Sequence, residues 1–143
     1  MISTGLAAEL RAAGLQWAPI SGDRFQLSGP DFEGDVFTVS DMTIEAHRYP
    51  SGTVLGFNGT TEWALDSVAL EDALWLPRED QLRELLRGAF LGLRREPVGE
   101  HGGARYVVTV RIQGSDREFA KEDAEEAYGA ALLELIRAAT VAP

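Results

Sequence analysis

The sequence predicts an α+β fold, a mainly antiparallel sheet of about six strands with three helices packed against it: N-terminal, central and C-terminal. Three observations carry this. Apolar residues recur at helical spacing in three separated stretches, and between them lie short runs rich in β-branched and aromatic residues with period-two alternation. Those runs are joined by tight turns, and strands joined so closely cannot run parallel. At 143 residues, 45% of them hydrophobic and 25% charged, the chain has the apolar content for one core and is expected to form a single domain over 1–143. It has no cysteine, so disulfides, thiolate metal sites and cysteine nucleophiles are excluded.

Leu6, Ala7, Leu10 and Ala13 repeat at helical spacing after Ser3 or Thr4 as cap and before Gly14 as stop, predicting a helix over about 4–13. Ser21-Gly22-Asp23 reads as a turn, and Arg24–Leu27 alternates as a strand. Asp35–Ser40 and Met42–Arg48 read as further strands, the second with Met42, Ile44 and Ala46 on one face and His47 on the other. Tyr49-Pro50-Ser51-Gly52 is a turn, which makes a hairpin with Thr53–Phe57. Residues 60–73 fit an irregular strand pair or a short helix equally well. Ala73–Leu76 is an apolar run short enough for a strand or the mouth of the next helix. Pro77 suits a first helical position, and Leu82, Leu85 and Leu86 give a helix over about 77–87 ended by Gly88. Ala89–Arg95 reads as a strand and Glu96–Gly103 as a loop. Arg105–Ile112 is a strand that turns through Gln113–Asp116 into Arg117–Ala120. Asp123 with Glu126 forms an Asp-x-x-Glu cap for a helix over about 123–140, its face traced by Ala124, Ala127, Ala131, Leu132, Leu135, Ile136 and Ala139.

The formal charge is −10, and of the 13 basic residues Lys121 is the only lysine. Nucleic acids and anionic membrane surfaces both require a positive field, so neither is expected as a partner. The charge is uneven: residues 1–77 hold 11 acids and 3 bases, whereas residues 78–111 carry seven arginines against five acids. The N-terminus lacks a basic start followed by a long apolar run, and no stretch reaches membrane-spanning length, so a soluble cytoplasmic protein is the expectation.

Catalytic motifs are missing. His47 and His101 have no helical histidine partner, and the acidic residues Asp31, Glu33, Asp35 and Asp41 alternate along loops and strands, which suits solvation better than a metal ion. There is no Gly-x-Gly-x-x-Gly after a parallel strand, no Gly-Lys-Ser/Thr, and no serine in a Gly-x-Ser-x-Gly elbow. No cofactor is expected. Trp17, Trp63, Trp75, Phe57 and Phe119 read as core or as partly exposed anchors, since tryptophan and arginine are enriched at interface hot spots.

Three segments taken together, Ala13–Pro19 leading to Gly22–Phe25, Gly56–Val68, and Trp75–Leu82, resemble a family of small bacterial proteins, mostly from actinobacteria and other Gram-positives, some of which carry a pilus-assembly label. The likeness spans most of the chain, implies one compact domain and transfers no catalytic residue. The leading expectation is therefore a non-enzymatic interaction or accessory module that pairs an acidic N-terminal half with an arginine-bearing central helix, with a protein partner or self-association. The competing one is a small-molecule-binding protein or a hydrolase without a known motif, using a cleft near Trp63, Trp75 and Glu62 with Arg78 as anion clamp. The candidate surface is Glu62, Trp63, Trp75, Arg78, Arg83 and Arg87.

Overall fold

The computed structural model describes residues 1–29, 32–40, 44–50, 52–57 and 67–141. It is α+β, and the chain divides into two compact units, one discontinuous (Met1–Gln16 with Pro77–Pro143) and one continuous (Trp17–Leu76).

In the discontinuous unit, helix α1 (Thr4–Ala12) begins where Ser3 is extended and its Oγ accepts from the Leu6 amide at 3.2 Å. Helix α2 (Glu79–Leu86) starts two residues later than the proline suggested, because Arg78 is the extended N-cap and its amide is taken by Gln81 Oε1 at 3.0 Å. Its end is abrupt. Arg87 takes φ +51° and ψ −132° and leads through a 3-10 turn, Arg87–Ala89, into strand β7 (Phe90–Val98). β7 pairs antiparallel with β8 (Gly103–Ile112), and β8 with β9 (Ser115–Lys121), giving the order β7-β8-β9. The expected loop from Glu96 is shorter than predicted: Pro97 and Val98 still pair with Ala104 and Gly103. Proline is tolerated there because β7 is an edge strand. The β8–β9 connection is two residues, Gln113 and Gly114, both at positive φ (51° and 81°), as the right-handed strand twist demands of a two-residue hairpin.

Helix α3 (Ala124–Val141) supplies the centre of this unit. Ala127, Tyr128, Ala131, Leu132 and Leu133 are buried, as are Val108, Val110 and Ile112 of β8, Ile2, Ala7 and Leu10 around α1, and Leu82 and Leu86 of α2. α3 packs against β8, β9, α1 and α2, which is why it is buried over a wider arc than a single sheet-facing stripe. At its start Asp123 Oδ1 accepts from the amides of Glu125 (2.7 Å) and Glu126 (3.3 Å). The returning half of the expected capping box goes elsewhere: Glu126 Oε1 accepts from the Ser3 amide and Glu125 Oε2 from the Ile2 amide.

In the continuous unit, β1 (Arg24–Leu27) is the centre of an antiparallel sheet ordered β2-β1-β6, with β2 (Phe37–Thr38) and β6 (Ala73–Leu76). β3 (Ile44–Tyr49), β4 (Gly52–Phe57) and β5 (Ser67–Ala69) form a meander, β3-β4-β5. Tyr49 pairs with Gly52, so the hairpin at Pro50 stands as the sequence indicated. Leu70–Asp72 is a 3-10 turn; of the stretch left open at 60–73, residues 60–66 lie outside the described residues. Phe25, Leu27, Phe37, Val39 and Ala73 form the core, with Trp17, Phe32, Ala46 and Leu70 against it. The expected sheet of about six strands is thus corrected to three sheets of three strands each among the described residues. Alternation in a sequence tells which side chains share a face; it does not tell which strands become neighbours.

A groove on the second helix

Leu82 and Leu86 turn one side of α2 into the core, so Glu79, Asp80, Arg83 and Glu84, together with Arg87 just past the helix, are left on the other. They line a groove of about 720 Å³ whose aromatic part is Phe90 and Tyr128. The two rings are 5.6 Å apart at 36°, and the Arg83 guanidinium lies 4.9 Å from the Phe90 centroid, within cation–π range. Neither Arg83 nor Arg87 enters an ion pair among the described residues. Tyr128 is 1% exposed; burial pushes its phenol above the usual range and Glu79 adds to this, while Arg83 opposes it. At the rim, Asp80 is engaged by Arg78 Nε at 3.1 Å.

Of the residues singled out from the sequence, Arg83 and Arg87 are brought together here, four positions apart. Arg78 lies outside the groove lining, at the N-cap with its guanidinium on Asp80. Trp75 belongs to the continuous unit and is half-buried, stacked on Trp17 at 6.3 Å and 8°. Trp17 in turn donates its Nε1 to Asp23 at 2.9 Å. Glu62 and Trp63 lie outside the described residues. His101 is exposed in the β7–β8 turn; β3 carries His47, whose side chain is outside the described set. Phe90 and Tyr128 were not singled out from the sequence. Tyr128 stands four residues after Ala124 and three before Ala131, on the predicted apolar face of α3, so helical spacing marks it as core.

A second groove, about 420 Å³, runs along α1, α3 and β9 with Leu6, Phe119 and Leu133 beside Glu9, Glu126 and Lys121. Among the described residues no three histidine, aspartate or glutamate side chains gather as a metal ion would need, and no helix is long and apolar enough to cross a membrane. No family model, curated protein or solved structure matches the chain.

Proposed function

We propose that this chain is a non-enzymatic interaction module that binds a protein partner through the α2 groove. One observation carries the reading: in a chain of net charge −10, Arg83 and Arg87, without ion-pair partners among the described residues, line one groove in which the Arg83 guanidinium lies over the Phe90 ring. Aromatic and arginine side chains are the usual anchors of protein interfaces. The backbone at Arg87 supports it. Positive φ with ψ near −132° is glycine territory, and a non-glycine residue there costs of order 1–3 kcal/mol. A guanidinium is held at that point against a local conformational preference.

Light scattering across ionic strength tests the reading. Association or partner binding that weakens with salt and is lost in Arg83→Ala/Arg87→Ala supports it. A monomer at every ionic strength that also retains no protein through these arginines removes it. A second reading, a small-molecule binder, is favoured by the groove volume, which falls within the range of roughly 300–1,000 Å³ typical of ligand sites. A ligand-induced rise in melting temperature that disappears in Arg83→Ala would select it.

A further inference from the structure

We infer that residues 1–12 form an acid-releasable strap: Asp123, Glu125 and Glu126 buckle the segment to the start of α3, and it lifts off when they take up protons while the β7-β8-β9 sheet stays folded. The inference is independent of the α2 groove. Glu125 Oε2 accepts from the Ile2 amide at 3.0 Å, Glu126 Oε1 accepts from the Ser3 amide, and Asp123 Oδ2 lies 3.2 Å from the Met1 ammonium. All three contacts sit at the entry of α1. Each draws on the ionised carboxylate, whose hydrogen bonds are stronger than those of the neutral acid. Asp123 also caps α3 through Oδ1, which accepts from the Glu125 and Glu126 amides. Protonation there loosens the strap and the first turn of its seat together, and it removes negative charge from the end of α3 that favours it.

Little else holds the segment. α1 has nine residues, too few for a helix that stands alone in water, and along the chain it reaches the rest of its unit only through residues 17–76. Its apolar hold is Ile2, Ala7 and Leu10, with Leu6 and Ile2 filling the space that Gly129 leaves. The sheet is secured differently. Val108, Val110 and Ile112 are buried, and the sheet's own ion pairs are exposed and contribute little. Other charges face α3 from each element packed on it. Glu9 of α1 and Lys121 of β9 line a groove with Glu126 and Glu134, Arg117 of β9 pairs with Glu134, and Arg11 lies in the last turn of α1. On α2, Glu79 and Arg83 act on Tyr128, and on β8, Arg105 and Arg111 are engaged by Glu96 and Asp116. Contacts that need the ionised form stabilise the folded strap at neutral pH and lapse as protons bind.

The test is amide hydrogen exchange on the full-length chain, titrated from neutral to acid pH, with each rate divided into that of the unfolded chain at the same pH. Protection of residues 4–12 should fall about tenfold or more before β8 loses any, since local openings cost less than global unfolding. Glu125→Gln/Glu126→Gln keeps an oxygen at each place but removes the charge. At neutral pH this variant should already show the lowered protection of 4–12, with β8 as in the parent, and its response to acid should be flatter. Loss of protection in 4–12 and β8 together, in one transition, overturns the strap as a separate unit. Residues 4–12 that stay protected until the whole chain unfolds do the same. A variant that matches the parent at every pH overturns the glutamates as its buckle, and the parent's own titration decides the release whether or not the variant folds.

Discussion

Asp23 shows how one side chain organises a turn. It is 1% exposed, and its Oδ2 accepts from Trp17 Nε1 at 2.9 Å and from the Ile20 amide at 3.0 Å. Replacing it with alanine removes the acceptor of two part-buried donors, and since water can reach them the cost is about 1 kcal/mol rather than the larger penalty of fully buried groups. Asp23→Ala should therefore lower the urea midpoint clearly, and Asp23→Asn, which keeps one acceptor oxygen, should lose less; equal losses would show that the carboxylate oxygen does not hold this turn. Arg87 makes the opposite case. Arg87→Gly relieves the positive-φ strain that Arg87→Ala keeps, a difference of about 1 kcal/mol or more. The glycine variant should melt above the alanine variant while both lose partner binding equally, separating backbone cost from guanidinium contribution. From sequence, Arg83 and Arg87 were legible as a pair because helical spacing places them together. Arg78 and Trp75 were not resolvable that way, since residues adjacent along the chain diverge where a strand ends and a cap begins.

At the level of elements, α1 is fastened to α3 by two kinds of contact. Gly129 presents no side chain, and a Cβ there would stand 2.7 Å from Leu6 Cδ2 and 3.2 Å from Ile2 Cδ1. Gly129→Leu should overpack this crossing and cost about 1–3 kcal/mol, with faster amide exchange in 4–12; unchanged exchange would mean that the helices do not depend on this close approach. The second contact is electrostatic. The Met1 ammonium lies 3.2 Å from Asp123 Oδ2 and 3.8 Å from Glu125 Oε1. Burial tends to raise the Asp123 pKa, but bonds from the ammonium and from the Glu126 and Glu125 amides outweigh it and hold the group below the usual carboxylate range. Its folded pKa thus lies below the unfolded one, so its stabilisation is present above the unfolded value and is lost as pH falls through the folded one. Melting temperatures from neutral to acid pH should fall less steeply for Asp123→Asn than for the parent; identical slopes would reject the coupling. On the sheet, Arg94 joins Glu96 and Glu118 while Arg105 joins Glu96, which lowers the pKa of both glutamates. The groups are exposed, and salt screens them. The helices and hairpins of these elements were legible because capping, spacing and turn residues are local signals. The partition into three sheets was not, because β1 pairs with β6 some 50 residues on, and no local signal specifies that.

For the whole molecule, charge decides which partners approach. Thirteen bases against 23 acids leave a net negative charge, whereas tight binding to nucleic acid draws on cationic groups that release phosphate counterions. The chain should pass unretained through immobilised heparin at physiological salt; retention that Arg83→Ala abolishes would show that the local patch overrides the net charge. The two units divide this charge unequally. Trp17–Leu76 holds ten acids and two bases, and the flanking segments hold 13 and 11.

The discontinuous unit has a consequence for how the chain is born. Ile2 and Ser3 bond to Glu125 and Glu126, and Leu10, fully buried in the finished fold, lies in a helix whose packing partner α3 is synthesised more than 100 residues later. On the ribosome α1 emerges before α3 and must wait, its leucines wet, until α3 clears the exit tunnel. Residues 17–76, a compact unit of their own, lie between the two, so the discontinuous unit closes only when segments far apart along the chain are joined.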